Sequence, residues 1–83
     1  TMVTLYPNPA HNELNIDINI SKATNAKMKI MDATGRVVKQ IDMQLKSGGN
    51  QTKVSLDGLS DGMYMVNITN EKGFNYSQTI RKN

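Results

Sequence analysis

The feature that most constrains this chain is a regular interruption. Turn signals rich in Gly, Asn, Asp and Pro recur about every ten to fourteen residues, and apolar residues tend to fall on alternate positions between them. The clearest case begins at Glu13: Leu14, Ile16, Ile18 and Ile20 fall on one side, and Glu13, Asn15, Asp17 and Asn19 on the other. A period of two puts one side of an extended segment in a core and the other in water. No segment carries a helical period. About seven short strands at this spacing predict an all-β, antiparallel Greek-key sandwich, with an up-and-down barrel as the alternative.

In chain order, Met2–Tyr6 reads as an edge strand that ends in Pro7-Asn8-Pro9, where two residues without an N–H enforce a rigid loop. After the strand from Glu13, residues 21–25 read as a polar loop. Residues 26–31 follow as a strand with Met28 and Ile30 inward and Lys27 and Lys29 outward. Asp32-Ala33-Thr34-Gly35 predicts a hairpin turn of type I with Gly35 left-handed. Residues 36–45 return with Val37, Ile41, Met43 and Leu45 inward; Lys39 interrupts that side, which predicts a bulge near Val38. Ser47-Gly48-Gly49-Asn50 reads as a flexible turn, and Thr52, Val54 and Leu56 as the next inward set, with Leu59 plugging the core between strands.

Residues 59–68 anchor this arrangement. Asp61-Gly62 is a turn signal, and Tyr64, Val66 and Ile68 then alternate as one side of a central strand. Leu-x-x-Gly-x-Tyr at the mouth of a strand suits a tyrosine corner, in which the hydroxyl bonds back to backbone a few residues upstream. Asn70-Glu71-Lys72-Gly73 closes that strand. Residues 74–82 form the last one, with Phe74, Tyr76 and Ile80 inward and Gln78 an ill-fitting member of the row.

Composition narrows the function more than it names it. At 83 residues the chain is one small domain with a core of Ile, Val, Leu and Met, since it has one Phe, three Tyr and no Trp. Without cysteine there is neither a disulfide framework nor a thiolate metal site. The formal charge of +3 comes from basic residues scattered from Lys22 to Lys82, not from a cluster interleaved with aromatics, so the reading is no nucleic acid. No apolar run reaches the roughly 18 residues of a membrane span, so the reading is also no membrane span. The chain opens at Thr1, which we read as a piece cut from a larger protein.

Catalytic chemistry finds little to use. His11, the only histidine, follows Pro9-Ala10 in a loop without a nucleophile beside it. The acids Asp32, Asp57, Asp61 and Glu71 sit singly in turns, where such side chains bond their own backbone. The expectation is no enzyme, no cofactor and no metal. Of the six methionines, Met28 and Met43 read as core fillers. Met63 and Met65 fall opposite Tyr64 and, with Met31, read as exposed apolar residues that could make a docking patch.

Three stretches carry a resemblance. Leu5-Tyr6-Pro7-Asn8-Pro9-Ala10, then Ile30-Met31-Asp32-Ala33-Thr34-Gly35-Arg36-Val37-Val38, then Leu59-Ser60-Asp61-Gly62-Met63-Tyr64-Met65-Val66 resemble, in this order and spacing, the motifs of the C-terminal sorting domains of the type IX (Por) secretion system of Bacteroidetes. The likeness covers essentially the whole chain. It departs at the end, where the family often has a Lys at the place of Gln78 or Thr79 and a more apolar finish than Ile80-Arg81-Lys82-Asn83.

The resemblance implies an immunoglobulin-like sandwich spanning 1–83 as a single sorting domain at the end of a larger secreted protein. Its partners would be the N-terminally fused cargo, the outer-membrane translocon and a sortase-like surface peptidase that removes it. The cargo would pass through the periplasm to be secreted or held at the cell surface. The residues of interest are Tyr6, Pro7, Asn8 and Pro9; Asp32, Gly35 and Arg36; Gly62 and Tyr64; and Ile80, Arg81 and Lys82. Recognition is expected at the two ends of the chain, and unpaired strand edges would also permit a homodimer. The alternative reading is an immunoglobulin-like adhesion or carbohydrate-binding module of a secreted protein, against which the shortage of aromatic platforms argues.

Overall fold

Seven strands divide between two sheets in the computed structural model, which describes residues 1–83. They are β1 (Met2–Tyr6), β2 (Glu13–Ile20), β3 (Thr24–Met31), β4 (Val37–Leu45), β5 (Gly48–Ser55), β6 (Gly62–Thr69) and β7 (Asn75–Lys82). One sheet has the order β1-β2-β5 and the other β4-β3-β6-β7, every pair antiparallel. The chain crosses between sheets after β2, β4 and β5, the connectivity of an immunoglobulin-like Greek-key sandwich. It is not a barrel: β1 and β7 remain edges of separate sheets, and one isolated bridge, between Ala10 in the loop after β1 and Lys82, lies beside them.

The core is what the alternation dictates. Leu14, Ile16, Ile18 and Ile20 of β2 face Met28 and Ile30 of β3 and Val66 and Ile68 of β6 within one cluster of 17 buried apolar residues. Aliphatic and methionine side chains fill the space between sheets, as the shortage of aromatics requires. Leu59 packs against this cluster without being fully buried. β6 lies between β3 and β7, the central position expected of the Tyr64 strand.

Four boundaries differ from the sequence reading. Gly48 and Gly49 do not form a turn: they pair with Ile20 and Asn19 at the start of β5, leaving Lys46 and Ser47 as the connection. The hydrogen bonds that β2 offers along its whole length outweigh the poor strand propensity of glycine. Asn50 holds the crossover by accepting from the Lys46 amide (3.0 Å) and donating to the Lys46 carbonyl (2.9 Å). β3 starts at Thr24, inside the expected loop, because Thr24 and Asn25 find partners in Leu45 and Gln44. Val37 was expected inward and is 45% exposed. The register explains it: Met31 pairs with Val37 and Ile30 with Lys39, so Val38 is the extra residue of a bulge and shifts the phase before it. Lys39 therefore sits on the inward side, and its ammonium reaches out to the Ser55 carbonyl at 2.6 Å, tying β4 to β5 across the sandwich edge. Finally, Phe74 precedes β7 and is half-buried.

The tyrosine corner is present. The Tyr64 hydroxyl donates to the Ser60 carbonyl at 2.6 Å with the ring buried, and Gly62 has φ of 151° where the chain enters β6. A β-carbon there would meet no atom within 4 Å, so Gly62 is required by its backbone angle and not by space.

Candidate recognition site

The antiparallel pairing sends the expected residues to one pole of the sandwich. β1 ends there at Tyr6 and β3 at Met31; β4 begins there at Val37 and β6 at Gly62; β7 arrives with Lys82. All three sequence motifs and the last strand thus meet at this end. The N-terminal end of β1 lies at the other, where Met2 pairs with Asn19. Eight-residue strands at about 3.3 Å per residue put roughly 25 Å between the poles, within a molecule whose long axis is 35 Å.

At the near pole the loop that follows β1 is clamped to the end of the last strand. The loop after β1, in which the Tyr6-Pro7 and Asn8-Pro9 bonds are both cis, comes alongside the end of β7 and pairs with it in parallel. The Ala10 amide donates to the Arg81 carbonyl at 2.7 Å, and the Asn83 amide donates to the Ala10 carbonyl at 2.9 Å. The Arg81 amide donates to the Asn8 side-chain oxygen at 3.0 Å. His11 Nδ1 lies 3.2 Å from the main-chain oxygen of Asn83. Ala10 is wholly buried, so the loop is part of the structure and not an appendage. These contacts satisfy the outward-facing backbone groups of Arg81 and Asn83. By the alternation of an antiparallel strand, the groups that face the same way at Asn75, Ser77 and Thr79 are left open on the β7 edge.

The motif residues divide by role. Ile80 is fully buried and pairs with Tyr64; both side chains belong to the core and are closed to a partner of the folded domain. Lys82 is also buried: its register partner is Gly62, and its ammonium lies 3.6 Å from Asp61 Oδ1, which is itself exposed. The stem is covered while the charge stays at the rim. Arg81 alternates outward and donates from Nε to the Asn83 side chain at 2.9 Å. Tyr6 is exposed, and its hydroxyl donates to Asp17 at 3.2 Å; that bond to a carboxylate holds the phenol above its ordinary pKa. Asn15 ties the same corner by donating to the Tyr6 carbonyl at 3.2 Å.

Asp32, Gly35 and Arg36 form the tip of the β3–β4 hairpin, at the same pole but on the opposite flank of the four-stranded sheet from β7. One carboxylate oxygen of Asp32 accepts from the Thr34 hydroxyl (2.6 Å), the Thr34 amide (3.0 Å) and the Arg36 amide (3.0 Å). The other lies 3.2 Å from Arg36 Nε. Donation from the Thr34 hydroxyl is the largest cause that holds the Asp32 carboxyl below its ordinary pKa, with the two amides and the guanidinium adding to it. Gly35 has φ of 89° and its amide closes the turn on the Asp32 carbonyl at 2.9 Å. Asp32 and Gly35 therefore shape the turn, and Arg36 remains largely exposed at its tip.

No three His, Cys, Asp or Glu side chains converge, and the chain holds no helix long and apolar enough to cross a membrane. The model of the secretion system C-terminal sorting domain matches residues 4–83, which takes in all three motifs and the last strand. The chain belongs to this family, the sorting domains of the type IX secretion system. Among curated proteins none matches it. A sorting domain of this kind is a secretion signal, and cargo that bears it is secreted or displayed at the cell surface.

Sequence reasoning pointed to both ends of this sorting domain but missed how they join. Ala10, His11 and Asn83 drew no attention as partners, because their pairing spans more than seventy residues; His11 and Asn83 are 72 apart. The one available sign was Pro-Asn-Pro, a stiff loop with an Asn side chain free to bond elsewhere.

Proposed function

We propose that residues 1–83 act as a single sorting domain at the end of a larger secreted protein, and that the pole formed by 6–11 and 80–83 is what the outer-membrane translocon reads. The cargo joins at Thr1, enters the translocon from the periplasm, and is then separated from the domain by a sortase-like surface peptidase. The observation that carries this reading is the separation of the poles. A label must be read independently of whatever it is attached to, and the cargo junction precedes β1 at the pole opposite the clamp. The chemistry offered at the clamp is a rim of Arg81, Tyr6, Asn8 and His11 around a closed backbone pairing, with an open strand edge at Asn75–Thr79 beside it.

The test fuses 1–83 behind a reporter carrying an export signal, in a host with this secretion system. Deleting 80–83 would remove the buried Ile80 and confound misfolding with lost recognition, so the backbone pairing is kept; Asn8→Ala removes the side-chain bond of the clamp and Arg81→Glu reverses the charge on its rim. Surface reporter is expected to fall about tenfold while the melting temperature stays within about 5 °C of the parent. Delivery at the parental level by this variant would overturn the assignment of the reading pole. Delivery by a fusion lacking 1–83 altogether would overturn the sorting reading.

A further inference from the structure

The four-stranded sheet has an apolar row on its outward face. Register places Val37 beside Met31, Met31 beside Met65, and Met65 beside Thr79, with Met63 beside Arg81 in the next row toward the pole. Val37, Met63 and Met65 are each close to half exposed, at 45%, 46% and 44%, and Met31 is partly buried between its neighbours. The row crosses all four strands, about 14 Å at the usual strand spacing. It connects the hairpin tip at Arg36 with the last strand at Arg81, the two motif regions that do not touch each other. Three of the four apolar side chains are methionines, whose unbranched stems adapt to an incoming surface.

The surrounding charges say what would cover it. Next along the face are Lys29, between Gln40 and Asn67, and then Ser77. Arg81 and Arg36 stand at the pole end, where Asp32 is engaged by Arg36 and the turn and Asp61 lies against the Lys82 ammonium. Lys29 and Arg81 have no ion-pair partner. The apolar row thus has a basic border. Two copies of the chain meeting by this face would oppose borders of the same sign, which disfavours a homodimer here.

We propose that Val37, Met31, Met65 and Met63 form a second docking surface, distinct from the clamp, for a partner protein whose apolar ridge is flanked by carboxylates. Placing that partner on the export route rests on the sorting function proposed above; the chemistry of the surface does not. The partner engages the hairpin and the last strand together, so it recognises the folded sheet and not either segment alone.

Two measurements test this on the whole domain. The first is direct binding of a fluorescent amphipathic helical peptide of about 18 residues, with a Leu face flanked by Glu, and of its counterpart flanked by Lys. The Glu peptide should bind, weaken with added salt, and lose about tenfold or more in affinity to the Met63→Glu/Met65→Glu variant. The Met63→Leu/Met65→Leu variant should stay within about twofold, and Lys29→Glu/Arg81→Glu should weaken the Glu peptide severalfold. Equal binding of the two peptides, or binding that ignores the methionine pair, overturns the proposal. So does binding of the parent to phosphatidylglycerol vesicles that the Glu pair abolishes, which would make the face a membrane contact. A methionine-dependent dimer in sedimentation overturns it in favour of a second copy.

The second measurement is surface delivery of the reporter fusion carrying each methionine variant, with Thr79→Glu as a milder intruder on the same row should the Glu pair lower the melting temperature. Parental delivery by the folded variants overturns the placement on the export route. A parent fusion that stays inside the cell refutes the sorting reading, and the peptide result then decides this proposal alone.

Discussion

The Tyr64 hydroxyl is the single polar group on which the entry to the central strand depends. Tyr64→Phe keeps the ring, its volume and its burial, and removes only the donor that lies 2.6 Å from the Ser60 carbonyl. That carbonyl is partly shielded, so the loss of its partner should cost about 1–2 kcal/mol, the usual range for an unsatisfied buried acceptor. An unfolding entropy of about 2.1 cal/mol/K per residue gives a domain of this length roughly 170 cal/mol/K at its midpoint, so the melting temperature should fall by about 6–12 °C. Thermal unfolding followed by circular dichroism reads this directly, and urea titration should show a lower midpoint at an unchanged slope. Tyr76→Phe is the matched control. Its hydroxyl donates to the Gln78 side chain, which can turn to water when released, so the loss should be below about 0.5 kcal/mol. If Tyr64→Phe shifts the midpoint by less than about 2 °C, or by no more than the Tyr76 control, the corner does not hold the strand and the reasoning fails.

Gly62→Ala should destabilise by about 1 kcal/mol or more through backbone strain alone, because φ of 151° is unfavourable for an L side chain while the space around it is empty; an unchanged melting temperature would contradict this. At the hairpin tip, Asp32 has a folded pKa below its unfolded value, so its contribution is complete above the ordinary carboxylate pKa and is lost as pH falls through the folded one. The Thr34 and Arg36 amide resonances should therefore hold steady from neutral pH to about 4 and move only below it. Asp32→Asn should abolish that acid transition, and a transition of the same size in the variant would assign it to another group.

Much of the fold was legible because its physics is local. Leu14, Ile16, Ile18 and Ile20 had to share a side, and Asp32 and Gly35 had to turn the chain, whatever lay elsewhere. The errors fall where a partner strand decides. Gly48 and Gly49 look like a turn by propensity and are recruited into β5 by β2, and Val37 was assigned inward because only pairing to β3 reveals that Val38 is the extra residue. The bulge itself was visible through Lys39, a charge out of phase. Of the candidate site, the sequence indicated both ends and the methionines of the outer face. Alternation already turned Ile80 inward, but it could not show that Lys82 is covered against Gly62 and Asp61, or that Met31 stands beside Met65, since both follow from contacts across strands distant in the chain.

The Asn8–Arg81 bond joins residues 73 apart, and that span has a consequence for timing. Contacts of such separation form late, after the intervening loops have closed and β7 has zipped onto β6. The clamp therefore does not exist on a fragment that stops before Arg81, or on a molecule whose last strand has come undone. With the clamp as the surface that the translocon reads, the proposal made above, a product truncated before Arg81 would be silent without any separate inspection.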